Sequence, residues 1–125
     1  MTSRPPLTLY GIPNCDTVKQ ARSWLADHGI DAAFHDFKKQ GLDAATVDGW
    51  LAGADWQTLV NRKGTTWRKL DPAAQAAVVD AASAAALMLA SPSVVKRPVL
   101  VGGAADGVQV GFAPERYAAL FGTGA

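Results

Sequence analysis

The chain has 125 residues, of which 49% are apolar and 18% charged, the proportions of a globular domain with a real core and not of a disordered chain. Its 12 basic and 11 acidic residues leave a formal net charge of +1, so no global field draws it to nucleic acid or anionic lipid, and any anion site must be local. A single cysteine excludes an internal disulfide and a cysteine-rich metal site, and fits a reducing compartment.

One domain spanning 1–125 is expected, since a chain of this size buries about two thirds of its unfolded surface. The start, MTSRPPLTLYG, lacks the long apolar stretch of a secretory signal. The run AAQAAVVDAASAAALMLA is interrupted by Gln75, Asp80 and Ser83 and reads as a soluble helix, not a membrane span. The expected location is the cytoplasm, with no membrane and no nucleic acid as direct partner.

Residues 7–12, LTLYGI, are β-branched and aromatic enough for a short strand. From Asp16, DTVKQARSWLADHG places Val18, Ala21, Leu25 and Trp24 on one helical face, with Gly29 as the stop. IDAAFHDF then predicts a second strand, broken by KKQG. A strand-helix-strand unit of this length should be parallel. LDAATVDGWLAG and DWQTLVNRKG predict short helices, and Asp71-Pro72 opens a longer one that should end near Ala90, before Pro92. RPVLVGG and GVQVGF, joined by a glycine- and aspartate-bearing turn, predict a hairpin, and PERYAALFG a closing helix from Pro114 to Gly122. The order is βαβ, three helices filling an insertion at about 42–91, then ββα.

Cys15 stands in the first strand-to-helix turn, in YGIPNCDTVKQAR. The first N–H groups of a helix are unsatisfied and carry partial positive charge, so a thiol there is expected to ionise more easily, and the thiolate is the nucleophile. Asn14 and Thr17 offer local hydrogen bonds, Lys19 and Arg22 add cationic potential, and Asp16 opposes it. Open α/β sheets place ligand sites at the carboxyl ends of parallel strands, which is where this turn lies. A free cysteine is more often a small buried hydrophobe; the position favours a reactive one. Val18 occupies the place of the second thiol of a dithiol enzyme, so Cys15 must be resolved by an external thiol, or by none.

Two further features stand out. In Lys96-Arg97-Pro98 the X-Pro bond is a candidate for cis, and Arg97 would project toward the first turn as a forked cation for an oxyanion or carboxylate. NRKGTTWRKL, residues 61–70, gathers cations around a glycine and Trp67 and by itself reads as a solvated loop. His28 and His35 lack metal-ligand spacing, so no metal site is expected. Trp24, Trp50 and Trp56 read as core residues.

YGIPNCDTVKQAR, FHDFKKQGL, NRKGTTWRKL, KRPVLV and GFAPERYAALF together resemble, from about residue 7 to 121, the arsenate reductase (ArsC)-like branch of the thioredoxin superfamily, which includes the Spx regulators; the small YffB-type members are most similar. The resemblance implies an α/β, thioredoxin-like mixed sheet with inserted helices, Cys15 as catalytic nucleophile, Pro98 as a cis-proline facing it, and Arg97 as an anion-binding residue. Asn14, Arg62 and Lys63 complete the expected substrate- and anion-binding set. A second arginine of the arsenate site would fall within Asn61-Arg62-Lys63, in a register the sequence leaves open, and a third just before Pro114, where this chain has Ala113. Three functions follow. The leading expectation is a glutathione-dependent monothiol reductase with no tightly bound cofactor and glutathione as co-substrate. The second is arsenate reduction with glutathione and glutaredoxin. The third is a non-catalytic regulator binding the RNA polymerase α-subunit, which Val18, by removing the CxxC switch, makes the weakest.

Overall fold

A computed structural model describes residues 7–102 and 108–121. Four short strands form one mixed sheet in the order β2-β1-β3-β4. Strand β1 (Thr8–Gly11) pairs in parallel with β2 (Ala33–Asp36) and antiparallel with β3 (Val99–Val101), which pairs antiparallel with β4 (Val108–Val110). The parallel unit and the hairpin strands stand where the sequence predicts them; the hairpin turn and Gly122 lie outside the described residues.

Alternation along the strands divides the core in two. Leu9 and Leu100 face one another in register and pack with Ala21 and Leu25 of α1 (Asp16–Asp27) and Tyr117 of α7 (Pro114–Phe121). Around them lie Trp24, Phe34, Phe112 and Phe121. Val99 and Val110, also paired in register, face the other way and pack under Trp50, Leu59, Ala84 and Met88 of the helical segment between β2 and β3. The result is a layer of helices on each face of a thioredoxin-like sheet.

Helix α1 buries Val18, Ala21 and Leu25, the face that its periodicity predicts. Val18 is fully buried, and a Cβ on Gly11 would lie only 2.8 Å from its Cγ2. Glycine at the end of β1 therefore lets the first turn of α1 lie directly on the strand. The position of the absent second thiol is thus core, wedged against β1.

The segment between β2 and β3 departs from the expected pattern of helices. Among the described residues it holds α2 (Ala44–Gly53), α3 (Trp56–Leu59), α4 (Thr65–Arg68), α5 (Pro72–Ala76), α6 (Ala81–Ala90) and a 3-10 turn, Pro92–Val94. The long helix predicted from Pro72 to Ala90 is two. Asp80 is extended (φ −153°) and caps a new helix: its carboxylate accepts the Ser83 N–H at 2.9 Å while the Ser83 hydroxyl accepts the Asp80 N–H at 3.1 Å. That reciprocal box ends α5 and restarts the chain as α6. The Ser83 N–H, then its hydroxyl, hold the Asp80 carboxyl below its usual range. DWQTLVNRKG likewise divides, because Val60 leaves α3 to form an isolated bridge with Val95.

Buried tryptophan and tyrosine supply much of the core. Trp50 is 1% exposed and meets Tyr10 edge-on at 5.2 Å. Trp24 and Trp56 are half-buried against the two clusters, so all three pack as core residues. Tyr117 is fully buried with its hydroxyl unpartnered, and burial pushes its pKa up to about 12, against the opposing charge of Arg116.

Candidate active site

The turn Pro13-Asn14 delivers Cys15 to the start of α1. Its backbone is extended (φ −103°, ψ 125°), and its carbonyl accepts the Lys19 N–H at 2.9 Å. Its side chain makes no capping bond. The thiol is part-exposed and leans on the core layer formed by the helices between β2 and β3. One side of the sulfur is therefore fixed by packing and the other opens outward.

It opens into a cavity of 370 Å³, within the range of about 300–1,000 Å³ usual for small-molecule sites. Cys15 and Thr17 line it from α1, Asn61 from the turn after α3, Lys96 and Arg97 from the approach to β3, and Val110, Gly111 and Phe112 from the end of β4. Arg116 reaches in from the first turn of α7. Among the described residues this lining holds three cations and no carboxylate.

Two of the arginines are held in place. Arg97 donates from Nη1 to the Ser93 carbonyl at 3.0 Å, while its Nε is buried with no partner among the described residues. Arg116 donates from Nη2 to the Val110 carbonyl at 3.1 Å. The Arg97-Pro98 peptide bond is cis, as the resemblance implies. Pro98 is buried and does not line the cavity; its carbonyl accepts the Gly111 N–H at 2.8 Å, joining the two cation-bearing segments.

Of the residues singled out from sequence, Cys15 and Arg97 meet at this cavity. Asn14, Arg62 and Lys63 are exposed and do not line it. The reason at 61–63 is backbone geometry. Asn61 N–H donates to the Val94 carbonyl at 2.8 Å beside the Val60–Val95 bridge, and the chain then turns away: Lys63 N–H donates to Asn61 Oδ1 at 3.3 Å and Gly64 N–H to the Asn61 carbonyl at 3.2 Å. Val60 enters the core, Asn61 faces the cavity, and the two cations that follow point outward. A neutral amide stands where a cation is expected. Arg116 is the residue that sequence reasoning misses; the expected position is that of Ala113, three residues earlier. The available signal is the placement of a basic residue in the first turn of the helix that follows β4.

His28 is exposed and its Nδ1–H donates to the Trp24 carbonyl at 2.8 Å, whereas His35 donates from Nε2 to the Gly41 carbonyl at 2.8 Å. Among the described residues no three His, Cys, Asp or Glu side chains gather where they could hold a metal ion, and no helix is long and apolar enough to cross a membrane.

A thioredoxin-like sheet with a lone cysteine at its first strand-to-helix turn, set in a cationic cavity, defines the class of fold. The chain belongs to the ArsC family, whose model matches residues 10–120. It is similar to a solved YffB protein, at 49% identity over 91% of this chain and 97% of that chain, with a TM-score of 0.84. An arsenate reductase (ArsC) related protein from Brucella melitensis is 57% identical over 93% of this chain and 94% of that chain, with a TM-score of 0.70. A protein of Haemophilus influenzae is 39% identical over 116 residues, 92% of this chain and 98% of its own length.

Proposed function

We propose that this protein is a glutathione-dependent monothiol reductase. The observation that carries the reading is a part-exposed Cys15 sharing one cavity with Lys96, Arg97 and Arg116, while the position of a resolving thiol is the buried Val18. The Cys15 thiolate attacks one sulfur of a disulfide; a new S–S bond forms at Sγ, the old one breaks, and the second half leaves as a thiolate. A glutathione thiolate attacks Sγ and releases the first half, leaving a Cys15–glutathione disulfide. A second glutathione thiolate attacks the glutathione sulfur, freeing Cys15 and leaving oxidised glutathione. One disulfide is reduced and two glutathiones are oxidised. An anionic ligand is supported by the lining itself, where Lys96, Arg97 and Arg116 stand without a carboxylate among the described residues.

The test is intact-mass analysis after incubation with oxidised glutathione. The expected result is one glutathione per chain, carried on Cys15, reversed by reduced glutathione and absent from Cys15→Ser. An unmodified wild-type protein would sink the mechanism.

Arsenate reduction at the same cysteine is the second reading, supported by the relationship to the Brucella protein at 57% identity. Here the Cys15 thiolate would replace one arsenate oxygen, which leaves as water, and two thiols, one from glutathione and one from glutaredoxin, would supply the two electrons that take As(V) to As(III), ending as a mixed disulfide as Cys15 is released. Asn61 and Ala113 weigh against it, because a compact oxyanion is best held by charge on every side. Arsenate-dependent oxidation of glutathione with glutaredoxin present, lost in Cys15→Ser, decides the matter; no turnover removes this reading.

A further inference from the structure

The cavity's cations are not equivalent. Arg97 and Arg116 are each tied to a backbone carbonyl by one N–H, but only Lys96 and Arg116 come together over Gly111. A Cβ on Gly111 would lie 3.5 Å from Lys96 Cε and 3.6 Å from Arg116 Nη2, so the two long side chains approach one another across a residue that has no side chain. Gly111 has φ +81°, a conformation that costs glycine little and other residues much. The Val110 carbonyl fixes Arg116 through one N–H and leaves the remaining donors of its planar fork to the cavity. Lys96 Cε and Arg116 Nη2 flank the same residue, and no carboxylate among the described lining residues offsets the two like charges. The arrangement fits a planar anion that takes a forked pair of bonds from the guanidinium and a point charge from the ammonium. Asn61 and Thr17, which add neutral donors and acceptors to the same lining, suit an organic ligand that carries such a group.

We infer that Lys96 and Arg116, converging over Gly111, form a carboxylate-binding subsite beside Cys15 that selects thiols and disulfides bearing a carboxylate close to the sulfur. This rests on Cys15 as the attacking thiol, as proposed above, and adds which thiol compounds it accepts. Binding contributes no electrons: Cys15 Sγ still displaces one half of the disulfide as a thiolate, and the subsite holds the half that stays.

The experiment compares Cys15 reaction rates with two aromatic disulfides, the carboxylate-bearing dithiobis(nitrobenzoate) and the uncharged dithiodipyridine. The readout is the ratio of the two rates, which isolates charge recognition from the reactivity of the thiol. In Arg116→Met and in Lys96→Met the ratio is expected to fall about tenfold, the size of one charge-assisted hydrogen bond. In Lys38→Met, which removes the same charge from an exposed turn away from the cavity, the ratio is expected to stay at the wild-type value. An unchanged ratio in both cavity variants overturns the inference, as does an equal fall in Lys38→Met, which would mark the effect as net charge alone. The two proposals fail separately. A protein that shows the ratio change but takes up no glutathione retains the subsite and loses the glutathione mechanism. One that takes up glutathione with the ratio unmoved loses the subsite and retains the mechanism.

Discussion

The helices between β2 and β3 begin differently from the helix that carries the thiol. Four of them start after an aspartate whose carboxylate accepts a backbone N–H of the first turn: Asp43 from Thr46 at 2.8 Å, Asp55 from Gln57 at 3.2 Å, Asp71 from Ala74 at 2.8 Å and Asp80 from Ser83 at 2.9 Å. Helix α1, with 12 residues the longest of the described helices, starts after Cys15 and has no side-chain acceptor at all. The four-residue α4, which follows Gly64, also lacks a side-chain cap; among α1, α2 and α6, the helices of ten residues or more between β1 and β3, α1 alone starts without one. A carboxylate at position 15 would cap α1, yet it would also remove the proposed nucleophile and neutralise the cations across the cavity. Tyr117 in α7 is a separate case: it lies in the core away from the cavity lining, with its hydroxyl unpartnered among the described residues. Trp50 in α2 likewise buries its Nε1 without a partner among the described residues.

This contrast can be broken most directly at Cys15. Cys15→Ser is expected to lose the glutathione adduct entirely and yet to unfold at higher urea, with stability raised by about 0.5–2 kcal/mol as a hydroxyl supplies the missing cap; a less stable variant would show that the thiol's packing outweighs its failure to cap. Tyr117→Phe comes next. Removing a buried hydroxyl without a partner should raise stability by about 1–3 kcal/mol at neutral pH. It should also alter the alkaline limb. The folded-state pKa of Tyr117 is raised from 10.0 to about 12, so above pH 10 the unfolded chain gives up this proton first, and stability falls as pH rises from about 10 to about 12. Urea titrations across that window should show a shallower fall in the phenylalanine variant. On the supporting side, Asp71→Ala should cost about 1 kcal/mol, measured the same way. The smallest effect belongs to acid pH. The Asp80 carboxyl is held below its usual range, so its contribution is present above the ordinary carboxylate pKa and lost as pH falls through the depressed one. Asp80→Asn should flatten that part of the acid limb, read by thermal melts from pH 5 down to about 2.

The parts of the fold that local pattern determines were legible in the sequence. LTLYGI, RPVLVGG and GVQVGF carry their strands in β-branched alternation, and Val18, Ala21 and Leu25 mark the buried face of α1. The break between α5 and α6 was hidden by alanine, which accepts a helix anywhere; its signal is the Asp80–Ser83 capping pair, visible in the sequence but easily passed over as an interruption of an apolar run. At the site, Cys15 could be placed because a strand-to-helix turn is a local event, and Arg97 because it precedes the proline of a strand start. Asn61 and Arg116 could not. Which of residues 61–63 faces the cavity depends on the Val60–Val95 bridge, a contact between distant segments, and Arg116 is placed by a carbonyl at the end of β4. Local patterns identify the thiol, whereas its surroundings exist only in the assembled chain.

The sheet order has a consequence for how the protein is made. Strand β1 lies at the centre, with its parallel partner β2 close in sequence and its antiparallel partner β3 only at Val99–Val101. A chain leaving the ribosome therefore presents the β1-α1-β2 unit, thiol included, while one edge of β1 is still unpaired and Lys96, Arg97 and Arg116 have yet to be synthesised. Closing that distance is the slow, non-local step of folding. Until it is complete, Cys15 is a cysteine like any other in the cell, open to whichever oxidant or disulfide arrives first. The proposed carboxylate subsite comes only with the last quarter of the polypeptide, so on that reading newly made chains, and any truncated before β3, are the population most exposed to indiscriminate thiol modification.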